Sequence, residues 1–205
     1  MALSRMILVS FIVGCAPAKY DVPCNEGKAG RYDCENVDLA AFLPNRLLGG
    51  GNLNDVWGWT DPASGAELVI VGSKRGATVV DATTPTAPEI LGFLPNRGDC
   101  PKYVDAHDVK VLDGHALLVG DCDDEGMQIL DLAPLIGNPA DEDLTETAYF
   151  ADVGAAHNLA VIPESSLAFA MSTSNCNGMR SIDLTDPLAP EDLGCWVEDE
   201  QWIHD

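Results

Sequence analysis

VDAHDVKVLDGHALLVGDCDDEGMQILDL, residues 104–132, is the stretch of this 205-residue chain that decides the fold. Its apolar runs predict three short strands, over residues 105–112, 114–121 and 126–132. Asp113-Gly114 separates the first two runs, and Asp-Gly between apolar residues is a strong β-hairpin signal. The stretch therefore predicts consecutive strands joined by tight turns.

Two marks of this unit recur along the chain. A glycine five positions before an aspartate occurs at Gly76 and Asp81, at Gly126 and Asp131, and at Gly178 and Asp183. The three glycines are 50 and 52 residues apart. A polar pair opens a predicted strand at Asn54-Asp55, His107-Asp108, His157-Asn158 and His204-Asp205. Repeats of this length with several strands each are typical of β-propeller blades.

Longer segments repeat as well. VVDATTPTAPEILGFL, residues 79–94, aligns without gaps on SIDLTDPLAPEDLGCW, residues 181–196, and FLPNR occurs twice. We therefore predict an all-β fold, a β-propeller of four-stranded blades present as an incomplete arc of about three blades plus the start of a fourth. The blades are predicted over residues 52–95, 104–151 and 155–197, with a closing outer strand over 36–44 and the start of the next blade over 202–205. Since propellers usually close with four to eight blades, we expect a fragment of a longer ring.

Residues 1–15, MALSRMILVSFIVGC, have the features of an export signal. Arg5 precedes an apolar run that is too short to span a bilayer. The ending IVGC resembles the bacterial lipobox, in which the cysteine thiol receives the lipid. We predict a lipoprotein-type signal segment over 1–15, lipidation at Cys15 and a polar tether over 16–35; an ordinary secretory signal is the alternative. The protein is then exported and lipid-anchored at the cell envelope or cell surface.

Six of the seven cysteines remain once Cys15 is assigned to lipid. Their pairing is not determined by the sequence alone. The blade arrangement, however, places Cys100 beside Cys122 and Cys176 beside Cys195, and this leaves Cys24 with Cys34. Disulfides agree with export to an oxidising compartment. The sequence has no CxxC pair, which disfavours zinc or thioredoxin-like chemistry.

The net charge of −22 limits the classes of partner. Such a surface repels the phosphate backbone of nucleic acids and the headgroups of anionic lipids. We therefore predict no nucleic-acid binding, and interpret most of the acidic residues as a solvated surface.

The recurring polar pairs are the candidate functional residues. First strands of propeller blades line the central channel, so the pairs are expected to gather at its mouth. Imidazole with carboxylate suits a transition metal, and carboxylate with an amide oxygen suits calcium. The candidate metal ligands are Asp55, His107, Asp108, His157, Asn158, His204 and Asp205. The alternative is that each pair hydrogen-bonds neighbouring backbone and locks one blade to the next.

Other motifs give a resemblance to a known family. LVIVG, VVDATTPTAP and SIDLTDPLAP resemble the LVIVD-repeat propellers of bacterial surface proteins. The segment 33–205, with DCENVDLAAFLP, NDVWGWTD, GMQILDL, AHNLAV, SNCNG and IHD, is similar to the choice-of-anchor B proteins. The resemblance implies an exported, surface-attached β-propeller. It implies no activity.

The sequence favours binding over catalysis. It has no GxSxG, HExxH, Walker or GxGxxG motif. We expect a binding or interaction scaffold for an envelope or extracellular protein or glycan, and Trp57 and Trp59 offer an aromatic surface unless they pack between blades. The alternative is a metal-dependent hydrolase that uses the His/Asp pairs.

Overall fold

Residues 19–97, 107–122 and 124–197 are described by the computed structural model, and within these ranges the chain consists of β-strands, loops and four 3-10 helices. Several predictions lie outside the described residues. They are the signal segment with Cys15, Cys100 and the first residues of the second predicted blade, and the predicted start of a further blade with His204 and Asp205.

The N-terminal segment is more folded than a plain tether. It contains four short strands: β1 (Lys19–Val22), β2 (Lys28–Ala29), β3 (Tyr32–Asp33) and β4 (Leu39–Ala41). Strand β2 pairs with β3, and the Cys24–Cys34 disulfide closes this small loop. The predicted closing strand over 36–44 corresponds to β4, which pairs antiparallel with β1 in a two-stranded sheet. Residues 19–35 thus contain a disulfide-closed loop with the buried Ala29.

Three four-stranded antiparallel sheets follow, each with its strands in chain order. Sheet I contains β5 (Leu53–Thr60), β6 (Glu67–Ser73), β7 (Gly76–Asp81) and β8 (Glu89–Pro95). Sheet II contains β9 (His107–Leu112), β10 (His115–Gly120), β11 (Met127–Asp131) and β12 (Ala148–Phe150). Sheet III contains β13 (Asn158–Ile162), β14 (Leu167–Thr173), β15 (Gly178–Asp183) and β16 (Glu191–Trp196). The three strands predicted in residues 104–132 are β9, β10 and β11. The 3-10 helices are Asn45–Leu47, Ala133–Leu135, Ala151–Val153 and Pro163–Ser165.

The repeated glycine and aspartate mark the third strand of each sheet. In sheets I and III the glycine opens the strand where the backbone of the outer strand passes, so that a Cβ on Gly76 or Gly178 would collide with a main-chain carbonyl. The aspartate ends the strand, and its carboxylate accepts a backbone N–H two residues later, from Thr83, Ala133 and Thr185 in turn. This hydrogen bond fixes the turn toward the fourth strand.

The apolar core lies in two layers between the sheets. One cluster joins sheets I and II and includes Ile70, Val79, Val109 and Leu118. The other joins sheets II and III and includes Leu117, Ile129, Ala168 and Ile182. Sheet II therefore has an apolar cluster on each face, which explains the continuous apolar run 116–119 of β10.

Two disulfides link described residues. Besides Cys24–Cys34, Cys176 bonds to Cys195, with Cα atoms 5.9 Å apart, as the blade arrangement predicted. Cys122 is also disulfide-bonded. Disulfides of this kind are typical of proteins in an oxidising, extracellular environment.

Candidate functional site

The first strands of the three sheets lie side by side, β5 against β9 and β9 against β13. Aspartates on them accept backbone N–H groups from the next sheet. The N–H of Val109 in sheet II donates to Oδ2 of Asp55 in sheet I, at 3.0 Å. The N–H of Leu159 in sheet III donates to Oδ2 of Asp108 in sheet II, at 2.5 Å. The same bond thus forms twice at equivalent repeat positions, and we call the two bonds the aspartate locks.

Lys110 connects the two aspartates. Its ammonium Nζ lies 2.5 Å from Oδ1 of Asp108 and 3.2 Å from Oδ2 of Asp55. The same nitrogen lies 4.8 Å from the centre of the Trp57 ring, a cation–π distance. Lys110 therefore places one positive charge between two carboxylates and beneath an aromatic ring.

An open cavity of about 870 Å³ adjoins this cluster. Its polar lining comes from Asn54, Asp55, Asp108, Lys110, His157 and Asn158. Its apolar lining comes from Trp57, Val111, Leu159, Ala160, Val161, Pro163 and Met171. We call it the inter-sheet cavity. Its volume is in the range of small-molecule sites, roughly 300–1,000 Å³.

The two carboxyl groups titrate differently because their surroundings differ. Burial and the neighbouring Asp55 carboxyl raise the pKa of Asp108 to about 6, against the opposing effect of Lys110 and the Leu159 N–H. Burial alone would raise the pKa of Asp55, but hydrogen bonds from Asp108 and from the N–H groups of Val109 and Val56, with the charge of Lys110, lower it to about 2. The pair therefore holds one proton in the folded protein at a pH where isolated aspartates are ionised.

This pair makes stability depend on pH in a defined window. Between about pH 4 and 6 the folded protein binds the Asp108 proton that the unfolded chain has released, so stability is expected to fall as pH rises through this window. Between about pH 2 and 4 the unfolded chain binds a proton at Asp55 that the folded protein has released, so stability rises with pH in this range. Urea unfolding of the wild type and of Asp108→Asn across this range measures both slopes. An unchanged slope between pH 4 and 6 in Asp108→Asn would show that another group is responsible.

The predicted metal ligands separate into two groups. Asp55, Asp108, His157 and Asn158 line the inter-sheet cavity. His107 instead lies in the interior with Glu125, its Nε2 at 2.6 Å from Oε1, and both side chains are 2% exposed. In the described ranges, no group of three or more His, Cys, Asp or Glu side chains is arranged to hold a metal ion. His204 and Asp205 are outside those ranges, so the metal site stays a prediction.

Sequence reasoning missed three residues of this region. Lys110 lies on β9 two residues after Asp108, and that spacing places both side chains on one face of the strand. Glu125 lies shortly before β11, and its pairing with His107 was not predicted from the sequence. Asp121 accepts a hydrogen bond from Nδ1 of His157 at 2.9 Å. Gly120 makes the His107–Glu125 pair possible, because a Cβ there would lie 2.5 Å from Glu125 Oε2.

The two tryptophans of β5 have different environments. Trp59 packs against the core between sheets I and II. Trp57 lines the inter-sheet cavity and is 36% exposed. Only Trp57 therefore offers the aromatic surface that the sequence suggested.

Comparisons with known proteins add no assignment. Among the residues that the structure describes, no helix combines the length and the apolar composition needed to cross a membrane. Protein-family models, curated proteins and solved structures were all compared with the chain, and none matches it.

Proposed function

We propose that the chain is part of an exported, lipid-anchored β-propeller that acts as a binding scaffold at the cell envelope. Sheets I, II and III are then successive four-stranded blades of an incomplete arc. The order of strands within each sheet, the contacts between first strands and the repeated aspartate locks support this proposal. The LVIVG and VVDATTPTAP motifs support membership of the LVIVD-repeat, choice-of-anchor B group.

The inter-sheet cavity is the observation that carries the binding function. It brings a half-exposed aromatic ring, carboxylates, amides and apolar side chains onto one concave surface. Ligand sites have this composition, a mostly apolar lining with a few convergent polar groups. The ligand is a component of the envelope or the extracellular medium, a protein or a glycan.

Filling the cavity tests this proposal. Ala160 lines the cavity and is exposed, so Ala160→Trp introduces bulk without disturbing the core. Thermal-shift measurements with fractionated glycans and peptides from a bacterial envelope are expected to give at least one fraction that raises the Tm of the wild type but not of Ala160→Trp. Ala63→Trp, in an exposed turn, is the control. Equal shifts in all three proteins, or none in any, would contradict the proposal.

The anchor has its own test. With Cys15 present, expression in a bacterial host with a labelled fatty acid is expected to give a labelled protein that sediments with membranes. In Cys15→Ala the thiol that receives the lipid is gone, so label and membrane association are both lost. A wild-type protein that is unlabelled and recovered in the soluble fraction would refute lipid anchoring.

A further inference from the structure

We infer that the inter-sheet cavity binds a neutral saccharide. This inference rests on the proposed binding function and names the class of ligand. Three features of the cavity carry it: its balance of charge, the state of the nearby backbone N–H groups, and the mixture of aromatic and hydrogen-bonding side chains in its lining.

The charge balance of the cavity disfavours ionic ligands. A cation would compete with the Lys110 ammonium, which already lies within 3.2 Å of carboxylate oxygens from both Asp55 and Asp108. An anion would meet those two carboxylates in a protein whose net charge is −22. The one lysine of the lining is neutralised by its partners. An uncharged polar ligand neither competes with Lys110 for the carboxylates nor is repelled by them.

The backbone of the cavity disfavours an extended peptide. A peptide that binds as an added strand needs free main-chain N–H and C=O groups on a strand edge. The N–H groups of Val109 and Leu159, on the facing first strands, already donate to Asp55 and Asp108. Because the aspartate locks occupy these donors, β9 and β13 lack two of the groups with which a peptide would pair.

The lining matches the surface of a sugar ring. A saccharide has an apolar C–H face and a rim of hydroxyl groups that both donate and accept hydrogen bonds. Lys110 contacts the Trp57 ring, and the part of this side chain that stays exposed, 36%, is the aromatic surface offered to the apolar face. Asp55, Asn54 and Asn158 place carboxylate and amide groups on the same lining. Asp55 accepts from Val109 and Lys110, and Asn54 donates to the carbonyl of His107, but a carboxylate or amide oxygen has more than one lone pair and can also accept from a hydroxyl. The cavity volume of about 870 Å³ accommodates more than one sugar unit.

Titration of the full-length protein with defined neutral oligosaccharides tests the inference. The probes are cello-, malto-, manno- and N-acetylchito-oligosaccharides, followed by calorimetry or tryptophan fluorescence. At least one is expected to bind the wild type, to lose about tenfold or more in affinity with Trp57→Ala, and to be affected only slightly by Trp57→Phe, which keeps an aromatic ring. Trp196→Ala is the matched control, since Trp196 is 48% exposed on β16 and is not part of the lining.

The same experiment separates failure of the inference from failure of the proposed function. Suppose that no oligosaccharide binds, but that a primary amine, inorganic phosphate or an uncharged peptide does, and that Ala160→Trp abolishes this binding. The saccharide inference would then be wrong, and the proposed binding function would be retained. Oligosaccharide binding unchanged by Trp57→Ala and Ala160→Trp would overturn the assignment to this cavity. No binding of any probe would count against both.

Discussion

Replacing Asp108 by alanine is expected to lower the free energy of unfolding by about 3 kcal/mol. The side chain is only 11% exposed, and its carboxylate accepts hydrogen bonds from the Leu159 N–H and from Lys110. Alanine leaves the Leu159 N–H without its acceptor and leaves the Lys110 ammonium with one carboxylate instead of two. Urea unfolding monitored by tryptophan fluorescence measures the loss.

Two further substitutions calibrate this effect. Asp55 forms the equivalent lock between sheets I and II, but its side chain is 31% exposed. Asp55→Ala is therefore expected to lower the free energy of unfolding by less, about 1 kcal/mol. Asp141 is exposed in the loop between β11 and β12, and Asp141→Ala is expected to change stability by less than about 0.5 kcal/mol. If Asp108→Ala lowers the free energy of unfolding no more than Asp141→Ala does, the aspartate lock at Asp108 does not contribute to stability.

Gly76→Ala is expected to lower the free energy of unfolding by about 3 kcal/mol or more. Gly76 has a φ of +136°, a conformation that residues with a Cβ rarely adopt. In addition, the new methyl group would collide with the carbonyl of Leu94 and lie 2.9 Å from the backbone nitrogen of Asn96. These contacts are backbone atoms of the outer strand, so relief requires β7 and β8 to move apart.

Gly58 supplies the control for this substitution. It lies on β5 of the same sheet, and a Cβ there would have no heavy atom within 4 Å. Gly58→Ala is therefore expected to be nearly neutral, and both variants can be compared in one series of urea unfolding curves. If Gly76→Ala unfolds at the same urea concentration as Gly58→Ala, the repeated glycine has no steric role.

The strands were predictable because their determinants are local. Gly76 and Gly178 are required by close backbone approach at the start of a strand, and Asp81 and Asp183 by the turn that follows it. Such requirements recur wherever the unit recurs, so the period of the sequence reveals them. The N-terminal strand β4 was harder to place, since its partner β1 lies in a segment with no repeat counterpart.

The side-chain partners at the site were less predictable. Asp55 and Asp108 were expected at the mouth of a central channel, and the sequence left open whether they bind a metal ion or hydrogen-bond neighbouring backbone. Their hydrogen bonds to Val109 and Leu159 depend on how two sheets are aligned, and no spacing within one repeat encodes that alignment. His107 likewise turns inward to Glu125 because Gly120 leaves space for the pair.

The most direct test of the account is amide hydrogen exchange at Val109 and Leu159, the two N–H groups that donate to aspartates of the preceding sheet. In the wild type both are expected to be protected. Asp55→Ala should accelerate exchange at Val109 and leave Leu159 protected. Asp108→Ala should accelerate exchange most at Leu159, and also at Val109, whose N–H donates to Oδ1 of Asp108 at 3.0 Å as well. Fast exchange of both amides in the wild type, or exchange at Leu159 that is unaffected by Asp108→Ala, would contradict the claim that aspartate locks join successive sheets.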